Sequence, residues 1–590
     1  MRTGPDLQLN RKSLFWLTFV AAICLIVGKS IVLGAGLDEN FAKMGNDDIM
    51  RLTVVRDLIA GQSWFDTTQY RMVPPEGLSL HWSRYIDAGI AAIILPLSLV
   101  IEMDLAEQIA VAIWPTLIFL LTLVILGLGT RRVFDAPAAS FAMLCLVIWP
   151  LTADVHSRPG NLDHHNVQFL MMLVMVLAII WPDGVKRAGV VAGLSAAFSL
   201  AVGLEGVLFI IVAGLVLVVR SAIMAEQSRL VTFCIALVVG CCLLWLGQAP
   251  PNARFIPVCD QLGTPMLGLV SVAAVASLLP LIVLRGSDRP VIILGATVIL
   301  TGVGLSVVWP LLGPCFSGPY GNLPEALQTY IRTSIVEAKP ALVYAKTNAV
   351  PAFIFLLPVI AAVLLGGWRW LSTRHDTPCQ ENSALGILLV FCVFGLGLVF
   401  YQMRTVIVVA TVVPIIGGVV MAQMLAAYLK KRDSLQGLLM LCAQIAFIAP
   451  TLIANGMQAF LPNASETENQ SVAACRTNDS LQILNAIPPG VILSHGNLGA
   501  SIIWATHHDA LAAPYHRSAA ALGNGILPFA MGDREMEAYV RDTAATHLLL
   551  CRDQTFAGAF ATSLAAGAQV DWLVPVPLDD AALMLFALRP

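Results

Sequence analysis

The chain of 590 residues is 58% hydrophobic and only 12% charged, with a mean hydropathy of +0.80, whereas soluble domains carry roughly a quarter charged residues. A soluble globular protein is excluded, and the composition is that of a membrane protein. The 34 basic and 37 acidic residues leave a net charge of −3, which gives no field to hold nucleic acid, and the glycines and prolines form no repeat of a fibrous or low-complexity kind.

The first apolar run, about Leu14 to Leu33, follows Arg2, Arg11 and Lys12. At about 20 residues, and with no small-residue cleavage site, it suits a spanning helix better than a signal peptide. It is read as the first span, with the N-terminus cytoplasmic. Further spans are expected to begin near residues 107, 137, 167, 188, 206, 231, 265, 290, 349, 384, 406 and 435, which makes about 13 transmembrane helices. Basic residues recur at every second connection: Arg131 and Arg132, Lys186 and Arg187, Arg220 and Arg229, Arg285 and Arg289, Arg369 and Arg374, then Lys430, Lys431 and Arg432. Those loops are expected to be cytoplasmic.

An odd number of spans places the tail on the other side, which in a bacterial inner membrane is the periplasm. Residues 1–457 are therefore read as the transmembrane part and 458–590 as a soluble periplasmic α/β domain. In that tail, apolar runs at Gly490 to Leu493, His547 to Leu550 and Val570 to Val574 alternate with helix-like stretches at Ser480 to Ala486 and Asp533 to Arg541. Of the 12 cysteines, Cys259 and Cys315 fall in outward loops and Cys475 and Cys551 in the tail, where an oxidising compartment lets them pair. Cys475 with Cys551 is the preferred bridge, and four free thiols are the alternative.

Three outward loops carry the polar chemistry, at residues 35–88, 153–166 and 313–346. The first holds Asn46, Asp47, Asp48, Arg51, His81 and Arg84, and a long loop without disordered composition tends to be functional. Helix capping competes with catalysis for Asp47 and Asp48, since an acid ahead of Ile49-Met50-Arg51-Leu52 suits a helix start. The second runs from Asp154 to Asn166, and its Asp163 and His165 can converge on a divalent ion, with Asp favouring hard metals and His admitting Mn or Zn. The third contains Glu337, the further oxygen ligand that Asp47 and Asp163 would need to complete a hard-metal site.

Together these loops resemble the catalytic subunit of oligosaccharyltransferases, membrane enzymes of the GT-C fold that move a glycan from a polyprenyl diphosphate to asparagine. Asn46-Asp47 followed by Arg56-Asp57-Leu58-Ile59-Ala60-Gly61 is similar to that family's first-loop acid and the helix after it. Ser157-Arg158 through Asp163-His164-His165 looks like its second-loop run, and Ser334-Ile335-Val336-Glu337 looks like its Thr-Ile-x-Glu or Ser-Val-Ser-Glu element. Two departures stand out. The family's Trp-Trp-Asp-Tyr-Gly element, which recognises the acceptor sequon, gives way to Ser494-His495-Gly496-Asn497-Leu498-Gly499. His165 stands where the family has a carboxylate, which leaves metal dependence open and keeps GT-C enzymes of polyprenyl monophosphate sugars as a comparison.

The resemblance implies inverting transfer from a polyprenyl (di)phosphate donor to a periplasmic glycan, lipid or protein acceptor. Asp47 would be the base or acceptor-orienting carboxylate. Asp163, His165 and Glu337 would be metal or phosphate-side partners, with Mg or Mn as the cation. For the donor phosphate, Arg404 is the first choice, against a snorkelling anchor, and Arg158 the second. Glu205, between two glycine-flanked spans, is read first as a turn residue and second as a cavity acid. His507, His508, Tyr515, His516 and Arg517 enrich one part of the tail without a standard zinc spacing. The competing class is a transporter or flippase of lipid-linked glycans, which would place its ionisable groups within the spans.

Overall fold

A computed structural model describes residues 11–34, 44–224, 226–284, 289–318, 320–321, 323–372, 379–430, 435–458 and 474–589. Every expected span start coincides with a helix. Among the described residues nine helices are long and apolar enough to cross a membrane, or ten when Met403–Val409 and Val413–Leu429, bent by 57°, count as one. The expectation of about thirteen is too high because three segments are cut short. Ala136–Ile148 has 13 residues, starting at an Asp135 cap and ending before Pro150. At 1.5 Å per residue that is about 20 Å, short of a bilayer core of about 30 Å. His165–Ile180 has 16 residues. The last segment is broken into Leu435–Ala443, Ile445–Ile448 and Pro450–Gln458, with Pro450 unable to continue the preceding turn. Among the helices not foreseen is Arg84–Ser98, which the Ser83 hydroxyl caps by accepting from the Tyr85 N–H.

Contacts sort the loops to two ends of the bundle. At one end the Arg131 guanidinium lies 4.6 Å over the Phe15 ring at the start of the first helix, Arg132 pairs with Asp183, and Arg229 donates to the carbonyls of Ala178 and Ile179. The connections that hold Arg131, Arg132 and Arg229 thus gather on one face, and Arg2, Arg285, Arg374, Lys431 and Arg432 lie outside the described residues. At the opposite end Lys29 pairs with Asp154, and the three acid-bearing loops meet the tail.

In the first loop β1 Thr68–Gln69 pairs antiparallel with β2 Leu78–Ser79, and described residues 474–589 form a five-stranded sheet in the order β4-β3-β5-β7-β6, with β3 Val491–Ser494, β4 Asp509–Ala510, β5 His547–Cys551, β6 Leu573–Val576 and β7 Leu583–Leu588. The strands β3, β4 and β5 run parallel, and β7 is antiparallel to both β5 and β6. Both disulfides form, Cys259–Cys315 and Cys475–Cys551, the second joining the start of the tail to the central strand. The edge strand β4 continues into the first loop, because Val73 N–H donates to the Ala510 carbonyl and Ala510 N–H to that of Arg71. One apolar core runs through this junction: Met50, Met72, Leu78, Ile90, Val111, Ile492, Leu498 and Leu549 are all buried in it. The tail is therefore packed onto the end of the bundle that bears the acid loops rather than tethered beside it.

Candidate active site

The Asn46–Ile59 helix begins at Gly45, whose N–H donates to Asp48 Oδ2 at 3.1 Å. Asp48 Oδ1 accepts from the N–H groups of Leu162 at 2.7 Å and Asp163 at 2.9 Å. Capping therefore falls to Asp48, and the same carboxylate clamps the second loop. Burial and then the Asp163 charge push its carboxyl up to about 7, against the pull of those N–H bonds.

Asp47 is left free of capping. The residue is exposed, yet protein packed around its carboxyl removes hydration, and this, followed by the charges of Asp163 and Asp48, pushes it up to about 7. Next to it in the chain, the Asn46 carbonyl accepts from the Tyr515 phenol of the tail at 3.1 Å.

Asp163 gathers the rest. Its Oδ1 accepts from Arg51 Nη2 at 3.1 Å and from the backbone N–H and ring Nδ1 of His164 at 2.8 and 2.7 Å, while Oδ2 lies 3.2 Å from His165 Nε2. Burial opposes its charge, but His164 and His165 outweigh that and hold it well below the usual carboxylate range. Burial likewise opposes a charge on His164, and Asp163 with Glu205 still raises it to about 10. Glu205 Oε1 and Oε2 stand 3.4 Å from His164 Nε2, and Oε2 accepts from Gln168 Nε2 at 3.1 Å, so Glu205 faces the cluster as well as sitting at its turn. Arg51 is fully buried, binds Asp87 Oδ1 at 3.0 Å and lies 4.5 Å over the Trp82 ring. Arg51, Asp87 and Trp82 were legible only as polar or aromatic loop residues, because their roles depend on pairings across the fold.

Two groups among the described residues bring three ligand atoms within 4.8 Å of one another: Asp163, His164 and His165, and His81, Asp260 and His516. Of the expected set of Asp47, Asp163, His165 and Glu337, this first group holds Asp163 and His165 and adds His164. Glu337 is exposed on the turn Val336–Ala338, and no hydrogen bond or ion pair joins it to Asp47 or Asp163. That turn abuts the one bearing Arg404, where Met403 N–H donates to the Lys339 carbonyl at 2.8 Å. Arg404 is exposed, with Nε on Gln402 Oε1 at 3.0 Å, and Arg158 is exposed too. His81 is set against the His516 ring at 4.9 Å and driven down to about 3, chiefly by burial. Asp260 accepts from Arg517 at 2.6 and 2.7 Å and from His516 at 3.1 Å.

No protein-family model matches the sequence, and no curated protein matches it. Solved structures do. The oligosaccharyltransferase AglB of the archaeon Archaeoglobus fulgidus, in complex with an inhibitory peptide and a dolichol-phosphate, overlays with a TM-score of 0.68 at 14% identity over 92% of this chain and 70% of that one. The same enzyme tethered to an acceptor peptide gives 0.66 at 15% identity over 91% and 69%, and its complex with Zn and sulfate gives 0.57 at 16% identity over 91% and 68%. The chain has the GT-C fold. The GT-C layout expected from the loops, a polytopic helical membrane body with an α/β tail, is therefore the one observed.

Proposed function

We propose that this chain is an integral-membrane inverting glycosyltransferase that moves a sugar or glycan from a polyprenyl (di)phosphate to an acceptor at the outward end of the bundle. The observation that carries this reading is the meeting of Asp47, Asp163, His164 and His165 in one place, from loops 116 residues apart in sequence (163 minus 47). The neighbour enzyme was solved with a dolichol-phosphate and with an acceptor peptide, the two kinds of ligand this reading requires. The outward face is the periplasm in this reading, with the N-terminus cytoplasmic and residues 458–590 outside the inner membrane.

Asp47, solvent-facing and not used for capping, orients the acceptor hydroxyl or amide and takes its proton as the bond to the anomeric carbon forms. The (di)phosphate leaves as an anion that needs positive neighbours. Arg404 and Arg158, with their exposed guanidinium groups, suit its oxygens. A divalent cation fits Asp163 and His165, because the His165 Nδ1 has no partner and a carboxylate with an imidazole suits Mn or Zn better than Mg. When bound, the cation neutralises phosphate charge. His164, already held between Asp163 and Glu205, keeps Asp163 ionised and aimed. Glu337, outside the cluster, receives no ligand role.

The acceptor is assigned as something other than an Asn-x-Ser/Thr peptide, because the Ser494-His495-Gly496-Asn497 segment lacks the tryptophan pair of the sequon reader. Purified full-length protein in nanodiscs, given a polyprenyl-diphosphate glycan with sequon peptide, glycan and lipid acceptors in parallel, tests this. Transfer to a glycan or lipid is expected, and efficient transfer to the peptide amide contradicts the acceptor assignment.

A further inference from the structure

Outside the Asp163 cluster, three segments distant in sequence bring His81, Asp260 and His516 together, with one ligand atom from each within 4.8 Å of the others. His81 comes from the first loop, Asp260 from the connection after the Gln227–Gln248 helix, and His516 from the tail. His516 Nε2 stands 3.1 Å from Asp260 Oδ2, and the His81 and His516 rings lie 4.9 Å apart with their planes inclined by 51°. The group is also held from outside. Cys259, adjacent to Asp260, is bonded to Cys315, the Tyr320 ring meets His516 edge-on at 5.5 Å, and Arg517 clasps Asp260 with Nε on Oδ2 at 2.7 Å and Nη2 on Oδ1 at 2.6 Å.

We propose that His81, Asp260 and His516 form a second metal site, which takes Zn and pins the tail to the first loop and to the connection bearing Asp260. The proposal does not rest on the transferase reading. Two imidazoles and a carboxylate are the donor set of a borderline cation rather than of Mg, which favours oxygen and water. Zinc–ligand bonds of about 2.0 to 2.2 Å at a tetrahedral angle set ligand atoms about 3.3 to 3.6 Å apart. His516 and Asp260 already stand near that spacing, and the 4.8 Å bound on the other pairs leaves about 1 Å for side-chain adjustment on binding. Arg517 does what an outer partner does, since a ligating carboxylate is itself hydrogen-bonded and thereby aimed. Binding exchanges the His516–Asp260 hydrogen bond for two bonds to the ion, with the His516 proton on Nδ1, and leaves the Arg517 fork in place. The Asp260–Arg517 ion pair alone would dock the tail, so docking accounts for neither imidazole. The chain neighbours of the two histidines reach the candidate active site, Tyr515 through the Asn46 carbonyl and Trp82 under the Arg51 guanidinium, so the ion steadies the tail where it borders that site.

The test takes full-length protein in nanodiscs, stripped by a chelator and titrated with buffered Zn, while histidines are modified with diethylpyrocarbonate and read by peptide mass spectrometry. At ten times the dissociation constant about one chain in eleven stays free, so labelling of His81 and of His516 should each slow about tenfold, with one midpoint for the two. Exposed His507 should label at an unchanged rate, and Mg should protect neither ligand. His81→Gln should raise the Zn concentration that protects His516 by about 100-fold or more, because a ligand counts for more than an outer partner worth about 10- to 100-fold. Asp163→Asn, which alters the other cluster, should leave the His516 midpoint within about twofold of wild type, as independent sites require. If either variant fails to give a monodisperse folded peak, the wild-type midpoints decide. No protection of His516 by Zn, different midpoints for His81 and His516, equal protection by Mg, or a midpoint that moves in Asp163→Asn but not in His81→Gln overturns the proposal.

Discussion

At the first turn of the Asn46–Ile59 helix, adjacent aspartates are divided by the donors that reach them. Asp48 accepts three backbone N–H bonds and stabilises the fold, whereas Asp47 accepts none of these and is exposed. Asp48→Ala should therefore destabilise the protein by about 1 to 3 kcal/mol, the usual penalty for leaving buried donors unpaired, read as a lower melting temperature in detergent. Asp47→Asn should leave melting unchanged and lower kcat by about 100-fold or more, the worth of a positioned proton acceptor. Equal loss of stability in both variants would contradict the division. Arg404→Ala should weaken binding of a polyprenyl-phosphate analogue and leave acceptor affinity alone, with lysine rescuing only in part, because a point charge cannot reproduce two parallel N–H bonds. Unchanged donor affinity by titration would make Arg404 a membrane anchor.

Loops and helices meet through charges whose partners lie far away in sequence. Arg51, 0% exposed, is neutralised by Asp87 and Asp163. Replacing it by alanine strands two buried carboxylates and should cost about 3 to 5 kcal/mol, seen as loss of a monodisperse folded peak. Asp260 ties the connection after Gln227–Gln248 to the tail through Arg517 and His516. Burial opposes its charge, but its hydrogen bonds to Arg517 and His516 depress its pKa. A depressed folded pKa makes the contribution complete above the ordinary aspartate value of about 3.9 and removes it as pH falls through the folded value. Protease resistance of the tail should thus hold from neutral pH down to about 4 and be weaker throughout that range in Asp260→Asn. The spans, the basic face and the Asp533–Arg541 helix were legible because hydropathy, charge and periodicity are local. The strands β4 and β7 escaped notice: β4 has two residues and exists through its neighbours, and β7 is a continuous apolar run at the end of the chain.

For the molecule as a whole, ordered motifs in three loops were enough to indicate the GT-C fold and to bring Asp47 and Asp163 together, because their polarity is intolerable inside a bilayer. Glu337 was expected at the same site on motif grounds; what sets its loop is the packing of Leu327 and Ile331 of the Glu325–Ser334 helix against Leu522 of the tail, an apolar contact that no loop motif encodes. His164 was passed over for the opposite reason, since only the fold sets Glu205 against its far nitrogen. The most direct test of the central claim is the release of polyprenyl phosphate or diphosphate from a glycan-linked donor by the purified protein, followed by mass spectrometry together with the glycosylated acceptor. Stoichiometric release and transfer by the wild type, lost in both Asp47→Asn and Asp163→Ala, is expected. Undiminished turnover in those variants, or a wild type that moves the intact donor between leaflets without cleaving it, would contradict it.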